Sequence, residues 1–218
     1  MRALIWVLVL AGCKGEARPQ AVAGEAGVAT HVRLPKARDG AVRRTSAPLG
    51  RERLERMAAI EHADFERQAR SGTATSVEFR HMTTTRPLLG VTVEIGACGA
   101  CEDVTTTPAE VRAGLPAALR ERADTRVAVA PREVGGVTAV ATYKLGAAFG
   151  QDEHGQPAGD YVDAYALDYN DGVNRIRVTA SYLDDAVGGV AQLQAVAPRE
   201  DLEKMAAAFL GFYLHEWQ

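Results

Sequence analysis

The chain has 218 residues, with 25 lysines and arginines against 28 aspartates and glutamates, and a formal net charge of -3. That balance supplies no field for drawing in nucleic acid, so nucleic acid is not an expected partner. Hydrophobic residues make up 47% of the chain, a globular rather than disordered composition, and the length allows a sizeable core.

The opening, MRALIWVLVLAGCKGEARPQ, carries one cation, Arg2, and then an apolar run from Ala3 to Ala11. The run falls well short of the roughly 20 residues needed to cross a bilayer. The order of charge, apolar run and small residues is that of an export signal.

The tetrapeptide Leu10-Ala11-Gly12-Cys13 resembles the lipobox of bacterial lipoproteins, with all four positions matching and a cation upstream. The resemblance implies removal of residues 1–12 as a signal peptide, attachment of diacylglycerol to Cys13 and acylation, such as by palmitate, of the new amino terminus. Two or three acyl chains hold a protein durably at a membrane, whereas one is marginal. Lys14, not aspartate, follows the cysteine. By the enteric sorting rule this implies the outer membrane, with the rest of the chain in the periplasm or at the surface. Membrane lipid, through Cys13, is thus the first expected partner.

Residues 13–45 combine the lipidated cysteine with a stretch of Gly, Pro, Ala and charges that has no sustained period. Such a composition does not easily offset the entropy of ordering, and a flexible tether is expected. Within it THVRL, residues 30–34, is a candidate edge strand. The basic clusters RRTS (43–46) and RERLER (51–56) read as solvated surface. His31 and His62 read as surface histidines with no ligand-like partners at spacing.

A single α+β domain is expected over residues 46–218. Residues 50–69 are predicted as a helix, with Leu54, Met57, Glu61 and Phe65 on one face and Gly72 in the turn that ends it. TSVEFRHM and LLGVTVEI follow as strands joined through TTTRP, with Val77 and Phe79 on one face of the first. Next, Thr107 is positioned to cap a helix, with Pro108 at its first position and Glu110 completing a capping box. Pro116 is awkward inside that helix, so either it kinks or two short helices meet near Gly114-Leu115.

Three strand signals come next, ending in DYVDAYALDYNDGVNRIRVTASY. Asp171-Gly172 suits a two-residue hairpin turn. That turn sets Leu167 opposite Ile176, Tyr165 opposite Val178 and Tyr161 opposite Tyr182 on one apolar face, with Asp168 opposite Arg175 on the other. Tyr161, Tyr165 and Tyr169 could form a binding stripe, but packing against a helix is the plainer reading. The closing helix begins near Pro198, with Glu200 and Asp201 favouring its positive end. Its two apolar stripes are Leu202, Met205, Ala206, Phe209, Phe212 and Tyr213, and Leu210, Leu214 and Trp217, so it should be buried on much of its girth.

This order of elements, with YALDYNDGVNRIRVTASY and LEKMAAAFLGFY, is similar to the Mog1/PsbP-like α/β/α sandwich over about residues 75–215. Gly135-Gly136, Tyr143, Tyr169 and Phe209 occupy equivalent places, while the GW segment frequent in that group has no match. The resemblance implies an antiparallel sheet flanked by helices and a protein-binding role, and fold analogy supplies no activity.

Cys98-Gly99-Ala100-Cys101 is the one constellation with possible chemistry. In an exported domain it can form a disulfide, a local staple between a strand end and the next helix. The alternative is a thiol–disulfide centre. That needs a thiolate favoured by a helix N-terminus, but EDVTTTP intervenes before the capped helix and Glu102 and Asp103 oppose thiolate formation. A thioredoxin-like centre also carries tryptophan where Ala97 stands. Zinc needs four ligands, and His81 and His154 stand alone; no metal or cofactor is expected. The chain lacks GxSxG, P-loop and HExxH patterns. YNDGVN lacks the full spacing of a calcium loop, and residues 150–160 read as a polar inter-strand loop.

The sequence therefore points to a membrane-anchored envelope lipoprotein with a non-catalytic binding or scaffolding domain and an envelope protein partner. The alternative is an envelope thiol–disulfide protein using Cys98 and Cys101.

Overall fold

A computed structural model describes residues 31–36, 40–98, 101, 105–151, 157–184 and 189–218. The expected signal peptide, Cys13, Glu102, Asp103 and His154 lie outside the described residues.

Seven strands form one antiparallel sheet. After helix α1 (Arg51–Ala58), β1 (Phe65–Gly72), β2 (Ser76–Thr83) and β3 (Leu89–Ala97) make a meander. Two short helices, α2 (Pro108–Ala113) and α3 (Ala117–Arg120), carry the chain to the far edge. A second meander returns through β4 (Arg126–Val134), β5 (Val137–Gln151), β6 (Pro157–Asn170) and β7 (Asn174–Tyr182). It closes the sheet by pairing β7 with β3, in the order β1-β2-β3-β7-β6-β5-β4. Helices α4 (Val190–Val196) and α5 (Arg199–Glu216) complete the α+β domain.

Period two along the strands separates the faces. Phe79, Val93, Val178 and Leu167 lie side by side in register and are almost wholly buried. The helix α5 lies over this face, and both predicted stripes are buried: Leu202, Met205, Ala206, Phe209 and Tyr213 in one, Leu210, Leu214 and Trp217 in the other. Each large side chain removed from water there is worth about 1.5–3 kcal/mol, which makes α5 the main closure of the core. The other face is covered over β5 and β6 by α3, whose Leu119 is buried, and over β4 by α2; Ala166 of β6 is buried as well. Toward β2, β3 and β7 the same face presents Glu78, Arg80, Glu94, Arg175 and Arg177.

The α2 start is as predicted: the Thr107 side chain accepts from the Glu110 amide, and the Glu110 carboxylate accepts from the Thr107 amide at 2.8 Å. Pro116 resolves into a break, with α3 beginning just after it.

Three expectations are corrected. The helix predicted over 50–69 stops at Ala58, and Phe65–Gly72 is an edge strand. The chain turns at Asp64, which has a left-handed φ of 67° and accepts three hydrogen bonds from Arg33, including one from its amide at 2.8 Å. The tether expected to reach residue 45 is also cut back. Val32 and Leu49 join the core, and 31–34 follows no strand. Finally, the β6–β7 register is two residues from the count made on a two-residue turn: Leu167 pairs with Val178 and Tyr165 with Ala180. The loop spans 171–173, closed by the Asp171 amide donating to the carbonyl of Asn174, the first residue of β7, at 3.1 Å. Because the slip is even, every side chain keeps its predicted face.

Candidate functional site

The β6–β7 turn organises one end of the domain. Asp171 is buried, and its carboxylate accepts from the amides of Thr45 at 2.7 Å, Val173 at 3.0 Å and Asn174 at 2.8 Å, and from the Thr45 hydroxyl at 2.5 Å. Burial pushes the carboxyl upward, but the hydrogen bonds from Thr45, Asn174 and Val173 outweigh it and hold it below the usual range. These bonds account for the oxygens of YNDGVN that might have suggested a calcium ligand. Asn174 is fully buried and adds three bonds: its Oδ1 accepts from the Leu49 amide at 2.9 Å, and its Nδ2 donates to Thr45 Oγ1 at 2.6 Å and the Ala47 carbonyl at 3.0 Å. The turn thus clamps residues 45–49.

The clamped segment forms one wall of an open groove of about 900 Å³. Helix α1 forms the second wall, and the end of α5 the floor. Arg43 and Arg44 from RRTS and Arg53 and Arg56 from RERLER all line it, with Glu52, His215 and Trp217. Both clusters had read as solvated surface; the fold brings them to one concavity. Arg53 donates to the Trp217 carbonyl at 3.0 Å, and Trp217, fully buried, has an indole N–H without a hydrogen-bond partner. No local sequence signal joins these residues beyond two arginine pairs flanking Pro48-Leu49-Gly50.

Cys98 and Cys101 lie on the other side of the same turn. They are paired, with Cα atoms 5.2 Å apart, and the Cys98 amide donates to the Val173 carbonyl at 3.0 Å. A groove of about 580 Å³ beside Cys98 is lined by Glu78, Glu94, Arg175 and Arg177. Asp168 is buried and pairs with Arg175, with Arg177 at 3.8 Å, so this pair is less exposed than the sequence suggested. Among the described residues no helix begins at either cysteine, the next being the six-residue α2 at Pro108. The pair closes a four-residue loop just after β3, and it is the Cys98 amide that links this strand end to the β6–β7 turn.

His31 is exposed as expected, but His62 is half-buried rather than a surface group and His81 is not isolated. The rings of His62 and His81 are 4.8 Å apart, and the Tyr213 hydroxyl lies 3.2 Å from His62 Nε2 and 3.0 Å from His81 Nε2. One hydroxyl donates a single proton, so it donates to one ring and accepts from the other. Burial lowers His62 to about 4 and, with the nearby His62 and Arg67 charges, His81 to about 3. Both rings are therefore neutral and structural at pH 7. Among the described residues no cluster of three or more His, Cys, Asp or Glu could hold a metal ion.

Tyr165 and Tyr169 pack toward α5: the Arg199 guanidinium lies 6.0 Å from the Tyr165 ring centre and Trp217 5.8 Å from that of Tyr169. Tyr161 meets Tyr182 edge-to-face and donates to the Asp184 carbonyl at 2.6 Å. The three do not form an exposed stripe. Nearby, Asp163 is almost completely buried and is raised by burial to about 7, with the Tyr143 hydroxyl opposing the shift.

Comparison with family models, curated proteins and solved structures found no match.

Proposed function

We propose that this chain is an envelope lipoprotein, held at the outer membrane by lipid on Cys13, whose α+β domain binds another envelope component without catalysing a reaction. The observation that carries the reading is the entry of the chain into the domain. The residues that follow the LAGC motif lead into a clamped segment that walls a broad arginine-lined groove. Such a lining suits recognition of an anionic partner. Likeness to the Mog1/PsbP-like sandwich belongs to the same proposal and is supported by helices on both sheet faces and the long closing helix. Cys98 and Cys101 act in it as a staple.

Cys13→Ser in the native cell tests the anchor: the chain should lose lipid and leave the membrane fraction. Unchanged membrane attachment would defeat the reading. A photo-crosslinker at Ser46 should then capture a discrete envelope component from the wild-type chain and lose it when Asp171→Ala releases the groove wall.

A further inference from the structure

We propose that the arginine groove is a phosphate site that takes the headgroup of an anionic phospholipid. The choice of a lipid rests on the reading that Cys13 holds the chain at a membrane; the preference for phosphate rests on the groove alone. A chain of net charge -3 gathers Arg43, Arg44, Arg53 and Arg56 against one lining carboxylate, Glu52. Arg43 and Arg44 make no ion pair among the described residues. Arg53 spends its hydrogen bond on a backbone carbonyl, and Arg56 is 3.9 Å from Glu52, too long for a good charged hydrogen bond. Guanidinium forks left without carboxylates match phosphate oxygens, which accept two parallel N–H bonds.

The Trp217 indole N–H is an independent observation. It is a donor on the fully buried side chain of a residue that lines this groove, and it has no acceptor among the described residues. A buried donor without a partner is costly, and a ligand oxygen would remove that cost. The wall is also preformed, since Asp171 and Asn174 pin Thr45, Ala47 and Leu49; binding need not order it, which favours affinity.

A lipid is the source best placed to reach the site. The wall begins at Gly40, about 27 residues beyond Cys13, a stretch that spans at most about 95 Å. Acylation at Cys13 would therefore keep the groove within that distance of a headgroup surface at all times.

The test uses the full chain carrying Trp6→Phe and Cys13→Ser, so that acyl chains are absent and Trp217 is the sole tryptophan reporter. Sedimentation with phosphatidylcholine vesicles, with and without phosphatidylglycerol, is compared for this chain and for two exposed double variants of equal charge loss. Arg43→Ser/Arg44→Ser removes groove arginines, and Arg80→Ser/Arg126→Ser removes distant ones. Near an anionic surface each arginine contributes about fivefold, so the groove pair should weaken binding about 25-fold and the control pair far less. Anionic vesicles should also shift Trp217 emission.

Equal loss in both double variants, no preference for anionic vesicles, or an unmoved Trp217 emission would each overturn the proposal. Glycerol phosphate in solution binding as tightly as the vesicles would assign the site to a free phosphate compound and overturn the lipid assignment. Circular dichroism keeps loss of fold apart from loss of binding. Absence of acyl chains on Cys13 of the wild-type chain from cells would overturn the anchor alone, leaving the vesicle result to judge the groove.

Discussion

Acidification from pH 6 to pH 5 is expected to weaken the fold by about 1.4 kcal/mol, a figure that follows from two buried groups, His81 and Asp163, and the half-buried His62. His62 and His81 fall from 6.5 to about 4 and about 3, burial being the main cause for each. Their folded values are depressed, so in this interval the unfolded chain holds close to two protons that the folded chain does not. Stability falls as pH falls. Asp163 acts in the opposite sense. Burial raises it from 3.8 to about 7, so the folded chain keeps a proton that the unfolded chain has lost. Its contribution is full below the unfolded value and is lost as pH rises through the folded one. The net difference is about one proton, or about 1.4 kcal/mol per pH unit. Glu55, Asp64, Asp124 and Asp171 are held below their ordinary values and titrate beneath the interval. Urea unfolding at several pH values, followed by Trp217 fluorescence, measures the slope. Asp163→Asn removes the opposing group and should double the slope to about 2.7 kcal/mol per pH unit. His81→Phe should leave a nearly flat profile, with His62 and Asp163 cancelling. A flat wild-type profile together with an unchanged slope in Asp163→Asn would refute the assignment of these groups as neutral.

Asp171→Ala strands four donors, two of them on Thr45, and should cost about 3–5 kcal/mol, the range for breaking a buried charged network. Asp171→Asn should cost less, and hydrogen exchange should locate the loosening at the Thr45 and Leu49 amides; protection unchanged there would remove the clamp from the account. Cys98→Ala/Cys101→Ala should cost only about 1–2 kcal/mol, because a loop this short restricts the unfolded chain little. Denaturation with retained cooperativity checks it, and failure of the variant to fold would mean that the pair is more than a local staple.

Legibility followed how local each determinant is. The α2 start was readable because its capping box lies within four residues, Thr107 to Glu110. The faces of β6 and β7 were readable from period two, whereas their register was not, because the Asp171 carboxylate builds a longer loop than the Asp-Gly pair implies. In β1, FERQARSG contains good helix formers, and Phe65 is a buried hydrophobic residue within it. Neither propensity nor alternation marks it as a strand; pairing with β2 and the Arg33–Asp64 contact decide it, a case of tertiary context overriding local preference. The arginine groove stands at the far end of this scale. RRTS and RERLER each look like solvated charge until Thr45 meets a carboxylate 126 positions away and Arg53 meets the Trp217 carbonyl 164 positions away. A site assembled by contacts of that span leaves almost no periodic or motif signal. Its legible trace is indirect: the Asp171 carboxylate shapes the turn through the Val173 and Asn174 amides, and the capacity it and Asn174 have left over for Thr45, Ala47 and Leu49 builds the wall.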